Sequence, residues 1–334
     1  MKKIIYGNRL ICELACLYTR LKNRKYKAII EKRSHYSLFE YKGFERPLGR
    51  YFTESFSDNN NFGLGLILRN YSRSCTKKVN GWIEHGYFYD DFILPQSVAS
   101  YARTILTFSN IRAHLIKAKT GKNAIAIGPY IHYADDYIDE KEFSQLKSKM
   151  GKILLVFLAH SASGEQVLFD NIELFDKVDS IKANYNTVIV SVFAGDLGNM
   201  FLLNEIKNRG YIIFSAGDRF DPLFLSRLKS VIKLADGTMS NAMGTHVVYC
   251  TYYNKPHWII PQQLKHIAIN STGKKNIAIS NNYKIGAEIS KWKSLFSVYK
   301  ENITDEQLEQ CNLYFGFDCV KTKNEMYEIL SSLN

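Results

Sequence analysis

Three stretches of this chain combine residue types that hold anions or move protons. The segment Thr238-Met239-Ser240-Asn241-Ala242-Met243-Gly244-Thr245-His246 crowds hydroxyl, amide and glycine residues around an expected helix start. Unpaired backbone N–H groups and the helix dipole favour an anion there. Small residues would let a diphosphate or phosphodiester approach the backbone, with Ser240 and Thr245 donating hydrogen bonds. An ordinary cap needs only one such residue. In His160-Ser161-Ala162-Ser163-Gly164 a histidine stands beside two hydroxyls, suited to hydrogen-bonding or protonating a leaving group; a structural histidine is the plainer alternative. Gly217-Asp218-Arg219 adds a cation able to offset phosphate charge electrostatically, as a metal would.

A base would come from elsewhere. His85-Gly86 is followed closely by Asp90-Asp91, and His85 or Asp91 could take a hydroxyl proton. A second acidic pair, Asp135-Asp136, follows GPYIHYA. Either pair could instead be a solvated face or an N-cap. Neither is a DxD motif, so the sequence calls for no divalent metal, and no cofactor beyond a co-substrate. GxGxxG and P-loop patterns are missing, which removes the usual support for dinucleotide and kinase readings.

These residues need a frame that gathers them. Apolar runs read as strands: VNGWIEHG, TILTF, NAIAIG, then ILLVFL, NTVIVSVFAG, YIIFSAG and KPHWIIP. Helical patterns separate them, including NMFLLNEIKNRG with its terminal glycine and FDPLFLSRLKSVIKLA. Strands alternating with helices imply parallel sheets covered on both faces. Ligands then bind outside the carboxyl ends of the strands, where the residues above lie. The polar helical pattern ending at Gly151 suggests a junction there. The expected units are residues 1–150, residues 151–283 and a tail of two or three helices over 284–334 that packs back across both. The first ~70 residues carry no clear pattern beyond a loop-like SFSDNNNFGLG.

Length and composition agree with two packed units: 334 residues, 46% hydrophobic and 13% aromatic. No apolar stretch is long enough to span a bilayer, and the basic start lacks the apolar core of a signal peptide. Six cysteines without metal-ligand spacing fit reduced thiols, so a cytoplasmic protein is expected. The formal charge of +12 is densest at the start, through Lys2, Lys3, Arg9, Arg20, Lys22, Arg24, Lys25, Lys27, Lys32 and Arg33. Such a surface suits anionic headgroups, or is simply solvated. The cations follow no nucleic-acid-binding motif, and nucleic acid is not an expected partner.

AIGPYIHYA, FLAHSASGEQVLFD and DPLFLSRLKSVIKLADGTMSNAMGTHVVYCTYYNKPHWI together resemble a bacterial family tied to capsule or lipopolysaccharide assembly, over about residues 80 to 262. The layout is also similar to GT-B glycosyltransferases and to the polymerases that transfer polyol phosphates for teichoic acids. His85-Gly86 resembles the HG motif of the latter, and Ser240-Asn241 with Lys255-Pro256 their phosphate segment and following strand. In GT-B sialyltransferases a carboxylate acts as base and a histidine and serines grip the donor phosphate. The corresponding residues would be Asp90-Asp91, His160 or His246, and Ser240; their His-Pro dipeptide is missing here.

The resemblance implies an α/β, GT-B-like fold of two Rossmann-like domains with parallel sheets facing across a cleft. It implies metal-independent transfer of a sugar from a nucleotide-activated donor, CMP-linked in the sialyltransferase case, to a glycan or lipid-linked glycan acceptor. His85, Asp91 and His160 would act in catalysis. Ser161, Ser163, Gly217, Arg219, Ser240, Asn241, Gly244, Thr245 and His246 would hold the donor. The alternatives are a CDP-linked polyol-phosphate transferase and a non-catalytic nucleotide- or glycan-binding module.

Overall fold

The structure is a computed structural model that describes residues 5–86, 91–160, 165–269, 275–279 and 287–333. In the first half, β1 (Trp82–Ile83), β2 (Thr104–Thr107) and β3 (Asn123–Ala126) pair in that order, all parallel. The helix Asn110–Thr120 crosses from β2 to β3, started by Ser109, whose hydroxyl accepts from the Arg112 N–H.

From Ile153 onward come β4 (Ile153–Phe157), β5 (Glu165–Leu168), β6 (Thr187–Ser191), β7 (Ile212–Phe214), β8 (Gly237–Ser240) and β9 (His257–Ile259). All but β5 form one parallel sheet in the order β7-β6-β4-β8-β9. The residues of β4 are all buried, as an uncharged ILLVF run at the centre of a covered sheet requires. Two of the connecting helices begin at side-chain caps: Asp170 accepts from Ile172 and Glu173 N–H, and Asn199 from Leu202 N–H. This strand order reverses between β4 and β8, the switch point where doubly wound sheets open a crevice. The chain is therefore α/β, with a three-stranded and a five-stranded parallel sheet.

Two elements depart from the sequence reading. Gly237-Thr238-Met239-Ser240 reads as a lead-in to a helix, yet it is the buried strand β8. Its hydroxyls tolerate burial because β9 brings His257 beside both of them. A second, antiparallel sheet joins β5 to β10 (Lys265–Ile269) and β11 (Lys275–Ile279), where the sequence offers no alternating pattern.

The first 75 residues belong to neither half alone. Helices Arg9–Lys22 and Lys25–Ser34 lead into an irregular segment, a 3-10 turn at Asp58–Gly63 and the helix Leu64–Ser72. Phe44 packs with Leu154, Val156 and Val190 in the second half's core, whereas Leu64 and Ile67 share a core with both Leu106 and Leu155. The tail begins on the second half, where the Phe296 carbonyl accepts from Ile259 N–H at 2.7 Å. It then returns to the first half, with Phe315 4.9 Å from Phe108 and Tyr71 donating to the Lys321 carbonyl.

Candidate active site

The two halves touch through the loop after β7. Gly217 there has φ +102°, a left-handed conformation that costs a glycine little. Asp218 accepts from Phe220 N–H at 2.9 Å and closes the turn, which sends Arg219 towards the first half. The Arg219 carbonyl accepts from Phe62 N–H at 2.7 Å, and a Cβ on Gly63 would lie 2.4 Å from the Pro222 carbonyl oxygen. Backbone thus meets backbone without room for a side chain. Phe62 itself holds φ +55°, sparsely populated for a bulky residue, with its ring 4.7 Å from Phe224.

Three consecutive asparagines fix this corner, each by a different bond. Asn59 accepts from Ile83 N–H at 2.9 Å and donates to the Gly81 carbonyl at 2.8 Å, setting the end of β1. Asn60 accepts from Thr53 and Glu54 N–H groups at 2.8 and 2.9 Å. Asn61 accepts from Arg219 Nε at 2.7 Å and turns its amide nitrogen to His85 Nε2 at 3.2 Å.

His85 follows β1 and sits among these groups. Its Nε2 is also 3.2 Å from an Arg219 guanidinium nitrogen. Both neighbours of Nε2 are N–H donors, so Nε2 accepts and the proton rests on Nδ1. Nδ1 faces Asp58 Oδ2 at 3.4 Å, a loose pair in which Asp58 is 4% exposed. A carboxylate behind Nδ1 and a lone pair on Nε2 is the arrangement that orients an imidazole as general base. Such contacts are commonly long before substrate tightens them.

Arg219 makes no ion pair among the described residues. Burial pushes its pKa down from the usual arginine value; Asp58 opposes the fall and Arg50 adds to it. It remains charged all the same, and an arginine so placed gains strongly from an anionic ligand.

Further along the carboxyl edge of the β7-β6-β4-β8-β9 sheet, about 12 Å from β7 at usual strand spacing, lies the switch point. Exposed His160 follows β4, its ring 4.8 Å from Phe193. Asn241 clips the loops after β4 and β8 together: it accepts from Ala159 N–H at 2.6 Å and donates to Gln262 at 2.9 Å. Gly244 leads into the helix Thr245–Tyr252, which has no side-chain cap.

Several expected roles change on these facts. Ser240 is fully buried inside β8, donates to the Ala242 carbonyl at 2.8 Å and meets His257 Nε2 at 2.9 Å. Its hydroxyl is committed internally and does not face a ligand. His246 stacks on Phe157 at 4.8 Å, and burial, with His160 adding to it, lowers its pKa to about 3. It is neutral near pH 7 and brings no positive charge to a phosphate. Asp91 is exposed and ion-paired with Lys119, at the end of the helix Asn110–Thr120 remote from the carboxyl edge, so it does not join His85. Asp136 pairs with Lys233 at 2.8 Å. Ser161, Ser163 and Asp90 lie outside the described residues.

Asp58 and Asn61 are the residues that sequence reasoning missed. Their signal is the DNNN run itself, which has more hydrogen-bonding groups than a solvated loop needs.

No family model matches the chain, and no curated protein matches it in sequence. Several solved structures align with it. A glycosyltransferase from Rickettsia africae ESF-5 is 12% identical, over 75% of this chain and 69% of its own, with TM-score 0.35. UDP-GlcNAc 2-epimerase from Methanocaldococcus jannaschii is 10% identical over 80% of each chain, with TM-score 0.39. UGT71G1 from Medicago truncatula, complexed with UDP-glucose, is 12% identical over 82% of this chain and 69% of its own, with TM-score 0.35. A likeness of this extent assigns no activity and no residue role to the chain.

Proposed function

We propose that the protein transfers a sugar from a nucleotide-activated donor to a hydroxyl of a bacterial cell-surface glycan, of the capsule or lipopolysaccharide kind. The observation that carries this reading is Arg219, a cation without an ion pair among the described residues, reaching from the donor half to the orienting pair Asp58–His85 of the acceptor half.

In this reaction the acceptor hydroxyl attacks the anomeric carbon. A bond forms between acceptor oxygen and sugar carbon, and the bond from that carbon to the phosphate oxygen breaks. His85 Nε2 takes the hydroxyl proton, and Asp58 stabilises the imidazolium that results. The departing nucleotide keeps the electron pair, and Arg219 meets its growing negative charge. The N–H groups at the start of the helix Thr245–Tyr252, next to Gly244, supply a second anion contact, with His160 near the leaving group.

Arg219 has two claims on it. While it points at His85 Nε2, the base is capped. A donor phosphate competes for the guanidinium, and in winning it removes one of the two N–H donors on Nε2, leaving the Asn61 amide for the acceptor hydroxyl to displace. Binding of the donor therefore precedes activation of the acceptor. The work is that of a cytoplasmic enzyme at the inner face of the plasma membrane, where activated sugars meet lipid-linked glycans.

His85-Gly86 favours a second reading, transfer of a polyol phosphate from a CDP-linked donor, in which the same base would activate the acceptor. Mass spectrometry after incubation with a nucleotide-sugar pool and a glycan acceptor separates the two. The expected result is a glycosyl mass increment with release of nucleotide. A phosphodiester increment would favour the second reading, and donor binding without product would leave a non-catalytic binding module.

A further inference from the structure

The helix Arg9–Lys22 wears its apolar side outward. Cys12 and Cys16 supply its buried contacts, at 2% and 1% exposure, while Leu10, Leu14, Leu17, Tyr18 and Leu21 are between 45% and 68% exposed. At helical spacing these five fall on one stripe about 100° wide, opposite the two cysteines. Beneath the helix, Cys16 donates to the Phe52 carbonyl and Asn23 to the Arg50 carbonyl, so it lies on the segment that runs into Asp58.

Lys22 borders the stripe, and the chain around it is basic. Residues 9 to 32 contain seven lysines and arginines and two glutamates. One of those glutamates, Glu13, is already held by Lys78 and Ser55. Arg9, Lys22, Arg24, Lys25, Lys27 and Lys32 are all exposed. Lys22 lies 5.6 Å from the centre of the Tyr18 ring, at the junction of apolar and charged surface.

We propose that this face docks the protein on an anionic lipid bilayer, with the helix in the headgroup plane, the leucines inserted and the cations against the headgroups. Apolar stripe and basic surroundings together are what an interfacial helix needs. The stripe is about 16 Å long, well short of a bilayer's hydrocarbon core. Among the described residues no helix is long and apolar enough to cross a membrane, so the contact is peripheral at this face. Charge argues against a second copy: a two-fold contact would set these cations against the same cations on a chain of formal charge +12. The inference does not depend on sugar transfer; if that reading also holds, docking keeps the Asp58–His85 corner one layer from the lipid.

Flotation of the full chain with vesicles tests it, using phosphatidylcholine alone and phosphatidylcholine mixed with phosphatidylglycerol. The wild type should float with the anionic vesicles and far less with the neutral ones. Leu14→Glu/Leu21→Glu should weaken flotation about tenfold or more, with unchanged circular dichroism and thermal midpoint, since both positions are exposed. Lys22→Ala/Lys25→Ala should weaken binding to anionic vesicles and leave its sensitivity to salt reduced. The proposal is overturned if the wild type stays with the unbound protein, or if the glutamate variant floats equally well. It is also overturned if the wild type sediments as a dimer that the glutamate variant converts to monomer, which would give the face to a second copy.

Discussion

Replacing His85 with alanine is expected to lower kcat by about 10²–10⁴-fold, the usual contribution of a positioned acid–base group. The fold should survive, because the side chain is 19% exposed and its bonds go to Asp58, Asn61 and Arg219 rather than into a core. Asp58→Asn should produce much of the same loss without removing the imidazole. An amide facing Nδ1 favours the tautomer that carries its proton on Nε2, where a base needs a lone pair. Initial rates at saturating donor, with circular dichroism as the control for folding, check both variants. A His85→Ala enzyme within a few-fold of wild type would remove His85 from the base role.

The second large effect falls on stability. Arg33 is fully buried; it donates to Asp218 Oδ2 at 2.9 Å and to the Gly43 and Arg46 carbonyls at 2.8 and 2.7 Å. Asp221, 3.8 Å away, pairs in turn with Arg227 at 3.0 Å, and both guanidinium groups lie about one ring-contact distance from Phe44, at 4.8 and 5.0 Å. Two arginines and two aspartates thus lock the N-terminal segment to the loop that presents Arg219. Breaking a buried pair by removing one partner costs about 3–5 kcal/mol, because the other charge stays behind uncompensated. Arg33→Met is expected to lower unfolding stability by that amount in a urea titration. Asp218→Asn should behave alike, and the double variant should lose less than the two single losses combined, since neither charge is then left alone. Additive losses would mean the two do not act as a pair. Because Asp218 precedes Arg219, the folded fraction of each variant should also bind donor more weakly.

Much of the frame is visible in the chain. β4 and β7 are uninterrupted apolar runs and β6 has an apolar centre, and the rule that ligands gather at carboxyl strand ends points to His85 and Arg219, which lie 134 residues apart and meet across the halves. What escapes is what depends on a distant partner. β8 hides because two of its four residues carry hydroxyls, and only His257 on the next strand makes their burial tolerable. For the same reason Ser240 looks like a phosphate ligand and is an internal one. Arg33 reads as one more surface cation in a basic stretch, and nothing local marks it as buried against Asp218. Asp58 lies in a run that resembles a solvated loop, and its function becomes visible only when Asn59 ties that loop to β1. Asp91 is nearer His85 in sequence, yet it pairs with Lys119 instead.

The most direct test is thermal denaturation with CMP, CDP, UDP and GDP, each on wild type, Arg219→Ala and Ser240→Ala. A nucleotide at 100 times its dissociation constant adds about 2.7 kcal/mol to the stability of the state that binds it. At least one of the four is expected to raise the wild-type midpoint by a few degrees. Ser240→Ala should start from a lower midpoint, because His257 loses a buried partner, and still respond to that nucleotide. Arg219→Ala should also start from a somewhat lower midpoint, because buried Asn61 loses its partner, and should lose most of the response. No shift with any nucleotide, or an undiminished shift in Arg219→Ala, would contradict a donor phosphate held at Arg219.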